Sequence, residues 1–285
     1  MNILIIGGNS AVAISLRKKL SQKHSIITAG RKKCDIIFDL TKPIDNLILP
    51  KNIDIIIHSA ANFGGKSYQE MIEAEDINVL GIIKTCEIAK RANVKQLIMI
   101  SSMSASLPKE SIYYNIYGVS KRHAEEVAFL FCKEHSLPLT VLRPSQIYGN
   151  SDNFRLHQPF IYLILDKAEK NEDITIFGSN DSLRNYIHMD DLSTIIEKTI
   201  THKIEGLYSC LHPHNLTYSQ IVKAAFDAFG TCGKIIFDKD KNNILDNIFE
   251  VDNTLYEKIK FYPKISIYMG FKKIVDNKIK NGQIS

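Results

Sequence analysis

The first twenty residues place the tightest limit on the fold. Ile3 to Ile6 is an apolar, mostly β-branched run that passes without a spacer into Gly7-Gly8-Asn9-Ser10-Ala11-Val12-Ala13. Helical spacing follows over Ala11 to Leu20. A strand that ends in a glycine turn and opens straight into a helix gathers free backbone N–H groups and the positive end of the helix dipole at one point, a shape suited to phosphate. The first half then repeats the alternation. Ser25–Ala29, Asp35–Phe38, Ile53–His58, Gln96–Ile100 and Leu139–Leu142 read as strands, and Glu73–Ala92 and Ser120–His135 as helices. Ile53–His58 is rich in β-branched residues, as expected of a strand covered on both faces. The expected fold is therefore α/β, a doubly wound parallel sheet.

After Gly149 the pattern loosens, with a helix expected over Phe160–Lys170, a strand over Ile174–Phe177 and a helix over Leu216–Phe229. The expected organisation is a Rossmann-type dinucleotide-binding domain over 1–149, to which 186–212 returns. A smaller α/β substrate-binding region over 150–285 completes a cleft.

Two places speak to the cofactor. The glycine turn wants small residues at positions 7, 10 and 13, which here are Gly7, Ser10 and Ala13. Ala13 satisfies close helix–strand packing, whereas Ser10 sets a hydroxyl where a phosphate would pass, as a donor to it. At the end of the second strand an acid would bind a ribose 2′-hydroxyl and a base would accept a 2′-phosphate. The sequence reads Gly30-Arg31-Lys32-Lys33. Arg31 would grip the phosphate through its planar fork, so NADP(H) is expected ahead of NAD(H). A merely solvated basic loop is the bland alternative.

Bulk properties narrow the class. A net charge of +5 without a block of like charge suits a small anionic ligand and is too weak to point to nucleic acid, so no nucleic-acid partner is expected. The five cysteines form no CxxC pair and no His/Cys cluster has metal-ligand spacing, so no metal is expected. The N-terminus lacks a basic leader, and no stretch reaches the roughly 20 apolar residues of a membrane span, so the expected location is cytoplasmic.

Tyr117-Gly-Val-Ser-Lys121 sets a phenol and an ammonium four residues apart on one helical face. A cation about 5 Å away, at an effective dielectric of about 20, favours a phenolate by about 3 kcal/mol, roughly two pKa units. That would make Tyr117 useful as an acid or base. Tyr256/Lys260 and Tyr268/Lys272 repeat the spacing. Only Tyr117 follows a buried strand ending in Ser101-Ser102, so the other two pairs are read as surface features.

Taken in order, these stretches resemble the extended short-chain dehydrogenase/reductases, in the NAD(P)-dependent epimerase/dehydratase branch. The resemblance rests on Gly7-Gly8, Asp39-Leu40, His58-Ser59-Ala60-Ala61, Asn78, Ser101-Ser102, Tyr117-Gly-Val-Ser-Lys121, Leu142-Arg143-Pro144-Ser145-Gln146-Ile147-Tyr148-Gly149 and Arg184-Asn185-Tyr186-Ile187-His188-Met189-Asp190-Asp191. It spans nearly the whole chain. It implies that Ser102, Tyr117 and Lys121 are catalytic, with Ser102 polarising the substrate oxygen, Tyr117 as general acid/base and Lys121 on the nicotinamide ribose. Gly7, Asn9, Ser10, Ala11, Arg31, Asp39, Leu40, Ala60, Ala61 and Pro144 would join Tyr117 and Lys121 around the cofactor. Ser102, Gln146 and Arg184 would meet the substrate, Arg184 at a diphosphate. Ser101 is an alternative to Ser102, while Arg143, Asp190, His58 and His188 read as structural.

The resemblance implies a nucleotide-sugar substrate, a place in cell-surface polysaccharide biosynthesis and a homodimer built through two helices. Family 4,6-dehydratases carry an Asp-Glu pair where this chain has Met103 and Ser104, which argues against dehydration. An NADPH-dependent reductase of a 4-keto-6-deoxy sugar nucleotide is the expected activity. An NAD-dependent 4-epimerase is the alternative, and a non-catalytic dinucleotide sensor is the alternative of another class.

Overall fold

The computed structural model describes residues 1–284. Strand β1 (Asn2–Ile6) leads into helix α1 (Ala11–Leu20), then β2 (Ser25–Gly30), β3 (Ile36–Ile37) and β4 (Ile55–His58). Helices α2 (Tyr68–Glu75) and α3 (Gly81–Arg91) are joined by a π-helical turn, Asp76–Leu80. There follow β5 (Gln96–Ile100), a 3₁₀ turn at Met103–Ser106, α4 (Ile116–Glu134), β6 (Leu139–Pro144), β7 (Gln146–Tyr148), α5 (Pro159–Glu169) and β8 (Ile174–Phe177). The chain continues through β9 (Leu183–Arg184), β10 (Tyr186–His188), α6 (Met189–Thr201), β11 (Gly206–Cys210), β12 (Leu216–Thr217) and α7 (Tyr218–Phe229). It ends with β13 (Ile235–Asp238), α8 (Thr254–Ile259) and α9 (Ile267–Lys280).

These elements form two compact units. The first holds Met1–Pro144, Ser193–Cys210 and Asp252–Lys260. The second holds Ser145–Leu192, Leu211–Val251 and the chain from Phe261 onward. The expectation had set the boundary at 149 and the returning segment at 186–212.

In the first unit a seven-stranded sheet runs in the order β11-β6-β5-β4-β1-β2-β3, with every pairing parallel. Every residue of β4 and β5 is buried, the consequence of covering a parallel sheet on both faces. α1 turns Ala13, Leu16 and Leu20 inward, and Ser10 caps its first turn. Leu4, Ile6, Ile56, Leu97, Met99 and Val141 from the sheet pack with Ile82, Ile88, Ala124 and Ala128 from α3 and α4. The register aligns Ile6 with His58, His58 with Met99, and Ile100 with Leu142. Gly7, Ser59 and Ser101, which follow those strands, therefore share the carboxyl edge with Arg143 near the end of β6, and the strand order reverses between β1 and β4. That is where such sheets bind ligands.

The helix expected over Glu73–Ala92 begins earlier, at Tyr68, because Ser67 and Glu70 form a reciprocal capping box. The third strand shrinks to two residues, since the Asp35 carboxylate turns back onto the Thr28 N–H and hydroxyl at 2.8 and 2.7 Å. β11 lay outside the expected strands. It is anchored where the Gln96 and Thr140 side chains both donate to the Ile204 carbonyl. Tyr256, expected on the surface with Lys260, is fully buried instead, as α8 turns Leu255, Tyr256 and Ile259 inward.

In the second unit, β7 pairs with β10 and β8 with β13 in parallel, and β9 pairs with β12 antiparallel. α7 packs against both α5 and α9. Tyr148 is buried among Tyr186, His188 and Phe271, each ring meeting it edge-on. No described helix is long and apolar enough to cross a membrane.

Candidate active site

The N-terminus of α4 builds the centre of the site. Asn115 caps it by accepting the Gly118 N–H at 3.0 Å, which sets Tyr117 on the first turn. Tyr117, Lys121 and Glu125 then recur every four residues along one face. Lys121 is only 2% exposed, and its ammonium donates to the Ile100 carbonyl at the end of β5, 2.9 Å away. Burial drives its pKa down to about 8, and the Glu125 carboxylate pulls it back up. Glu125, also buried, accepts both Nε and Nη2 of Arg143 and the Ser101 hydroxyl.

Two adjacent serines thus separate. Ser101 is committed to Glu125 beneath the site, whereas the Ser102 hydroxyl bonds Tyr117. The Ser102 oxygen also accepts the Ser104 N–H at 3.1 Å. The expectation that Lys121 loosens the Tyr117 proton is corrected. Burial pushes the Tyr117 pKa up to about 12, and only the Ser102 hydrogen bond opposes it. The cause is desolvation of the phenolate: Lys121 spends its ammonium on a carbonyl. In the described protein Tyr117 is a protonated phenol, poised as a donor.

His58 lies at the end of β4. Its Nδ1 is 2.9 Å from the Thr85 hydroxyl, which itself donates to the Gly81 carbonyl, so Nδ1 carries the proton. Burial and the neighbouring Lys121 charge hold His58 down at about 3, a neutral packing residue. Asn78, on the π-helical turn, ties Asn62 to Ser120 through both ends of its amide.

At the cofactor end, Gly7 has φ +86°, and a Cβ there would sit 2.5 Å from the Ala60 nitrogen. Only glycine fits. The Gly7 and Gly8 N–H groups both bond the Ala29 carbonyl. The Ser10 hydroxyl, expected to point at a phosphate, instead caps α1 on the Ala13 N–H at 3.0 Å and lies 3.2 Å from the Ser59 hydroxyl. Asn9 bonds the Lys32 carbonyl and accepts the Cys34 thiol, pinning the basic loop beside the turn. Arg31, Lys32 and Lys33 are exposed at the end of β2. The nearby Asp39 carboxyl is held below its usual range by the Thr41 N–H and hydroxyl and by the Arg31 charge. Leu40 is buried, its carbonyl bonded by Lys84. Ala11 is buried, Ala60 half-buried and Ala61 exposed, and Pro144 closes β6. The tight Gly7 cradle at the N-terminus of α1 suits a dinucleotide pyrophosphate.

Gln146 and Arg184 belong to the second unit. Gln146 donates to the Gln158 side chain at 3.0 Å. Arg184 is buried against the Tyr218 ring, with Nε on the Tyr218 hydroxyl at 2.9 Å and Nη1 on the Leu183 and Leu245 carbonyls. Asp190 pairs with Lys273 at 2.6 Å. Sequence reading missed Glu125, although its spacing from Tyr117 and Lys121 was a signal. It also missed Phe63, whose ring stacks on Tyr117 and which no periodicity marked.

The model of the NAD dependent epimerase/dehydratase family matches residues 3–209. A Methanocaldococcus jannaschii protein provisionally named UDP-glucose 4-epimerase is 25% identical over 98% of each chain. The GDP-L-fucose synthase of Dictyostelium discoideum is 23% identical, covering 84% of this chain and 83% of its own. The crystal structure of UDP-glucose 4-epimerase from Thermotoga maritima, solved with UDP-glucose, superposes with a TM-score of 0.79 at 19% identity over 99% of each chain. The glycine turn, the Ser102–Tyr117–Lys121 cluster and the match over residues 3–209 together make this chain a member of the NAD-dependent epimerase/dehydratase family.

Proposed function

We propose that the protein is an NADPH-dependent reductase of a nucleotide-activated 4-keto-6-deoxy sugar. The observation that carries this reading is Arg31, exposed at the end of β2, where a base accepts the 2′-phosphate of a cofactor consumed at each turnover. Ketone reduction needs a proton donor at the oxygen, and a phenol held neutral meets that need. The carboxylate pair of a dehydratase is replaced by Met103 and Ser104.

Gly7, Asn9 and Ala11 would hold the pyrophosphate, with Ser10 capping the helix that faces it, Arg31 would hold a 2′-phosphate, and Asp39, Leu40, Ala60, Ala61 and Pro144 the rest of the dinucleotide. Bound there, a reduced nicotinamide supplies the hydride. Ser102 holds the carbonyl oxygen while charge develops on it, and Tyr117 delivers the proton to that oxygen. Lys121 orients the ribose, and Gln146 and Arg184 bind the nucleotide-sugar. Asp35 is occupied by Thr28 and Asp39 by Thr41, which supports the exposed Arg31 as the group that meets the 2′-phosphate. A homodimer through α2, the π-helical turn and α4 is supported by exposed Tyr68, Met71, Ile72, Leu80 and Leu130.

The test is incubation with NADPH and a dTDP- or GDP-4-keto-6-deoxyhexose, following loss of reduced-nicotinamide absorbance. The second reading, a 4-epimerase, is favoured by the full-length similarity to the Methanocaldococcus protein. Interconversion of UDP-hexoses without NADPH consumption would establish it in place of the reductase.

A further inference from the structure

The loop after β4 is built to present one residue. Asn78 clamps Asn62 from both sides: its Oδ1 accepts the Asn62 N–H, and its Nδ2 donates to the Asn62 carbonyl, each at 2.8 Å. The same Nδ2 reaches the Ser120 hydroxyl on α4 at 2.8 Å, so loop, π-helical turn and catalytic helix are fixed to one another. Asn62 Oδ1 in turn accepts the Gly64 N–H at 2.7 Å. Gly64 takes φ +63°, and a Cβ there would meet the Ile116 methyl at 2.5 Å. Between these two restraints stands Phe63. Its ring lies 4.5 Å from that of Tyr117, centroid to centroid, with 19° between the planes. Phe63 is 45% exposed, so it stands at the protein surface while it covers Tyr117.

We propose that Phe63 is a positioning residue for the proton-transfer step: its ring covers one face of Tyr117, keeps water from that face and holds the phenol directed at Ser102. The proposal rests on the reading of Tyr117 as proton donor. Stacking at this distance and angle is favourable in itself, and it restricts the rotation of both rings. It also accounts for an aromatic side chain left half-exposed on a restrained loop. Burial is what lifts Tyr117 above an ordinary phenol, and the cover over its ring contributes to that burial. The titratable groups on the elements packed around this loop and helix include Lys121 and Glu125 on α4, His58 on β4 beside the Lys121 charge, Glu70 on α2, whose carboxylate lies against Gly65, and Glu75, which meets His123 where α2 joins α4.

The experiment uses the full chain with 3-fluorotyrosine incorporated at its 12 tyrosines; the Tyr117 fluorine resonance is the one lost in Tyr117→Phe. In Phe63→Ala that resonance should move, and its titration should fall by about one pH unit toward an ordinary phenol. Phe63→Tyr, which keeps the stacked ring, should restore the wild-type titration. NADPH affinity should stay unchanged in both, which shows that the fold is intact. With the 4-keto sugar nucleotide, the alkaline limb of kcat should move to lower pH in Phe63→Ala alone. An unmoved titration in Phe63→Ala, or a failure of Phe63→Tyr to restore it, overturns the proposal. Absence of turnover in wild type overturns the reductase reading instead, while the fluorine titration still decides the role of Phe63.

Discussion

Two cations serve the same half of the molecule in opposite surroundings. Lys121 is buried against a carbonyl and a carboxylate, and its charge is fractional near pH 8. Arg31 stands exposed at the end of β2, beside Asp39. A buried charge is tuned by everything that touches it, whereas an exposed one acts through screened attraction and geometry. Changes around the Tyr117–Lys121 cluster should therefore be costly and coupled, and changes around Arg31 modest and confined to one ligand.

The largest effect tests the buried pole directly. Tyr117→Phe should lower kcat by about 10²- to 10⁴-fold with NADPH affinity retained, as measured by turnover and by cofactor fluorescence titration. Near-normal turnover would remove Tyr117 from the mechanism. Next comes the support beneath it. Glu125→Gln leaves the Arg143 guanidinium without its carboxylate, and chemical denaturation should show a loss of about 3 kcal/mol. A loss below about 1 kcal/mol would mean that the pair behaves like a surface bridge.

The exposed pole should respond less. Arg31→Ser is expected to weaken NADPH roughly tenfold while leaving NADH unchanged. Equal losses for both cofactors would show that Arg31 does not read the 2′-phosphate. The smallest effect is a pH dependence. Because the folded Lys121 pKa lies near 8, below its ordinary value, the ammonium is lost as pH rises through about 8. Cofactor affinity should then fall by a few-fold between pH 7 and 9, and Lys121→Arg should flatten the profile. A flat wild-type profile would place the Lys121 charge outside cofactor binding.

The same contrast explains what was legible beforehand. The parallel sheet, the glycine turn and the Tyr117–Lys121 pairing stood in the sequence because each is a local pattern: β-branched runs, Gly7 before a helix, and a four-residue spacing. Glu125 continues that spacing and was equally local. The separation of Ser101 from Ser102 was not legible. It depends on Glu125 and Arg143, which come from α4 and β6 and meet Ser101 only in the folded unit. The reversed sense of the Tyr117 shift has the same origin, since burial is a property of the packed site and not of the spacing. Tyr256 deceived because a Tyr/Lys spacing carries no information about which helical face is covered. The short pairings β7–β10 and β9–β12 involve two or three residues each, too few for a period to register.

The late arrival of β11 has a consequence for biosynthesis and for any attempt to isolate the unit that carries the seven-stranded sheet. β6 receives its outer partner only from Gly206–Cys210, long after Pro144 has left the ribosome. Until then the nascent sheet carries an unpaired, buried-type edge, the kind of surface that invites strand addition from another chain. A fragment stopped near residue 150 would keep that edge permanently. A soluble excised half must instead carry Ser193–Cys210 along with it.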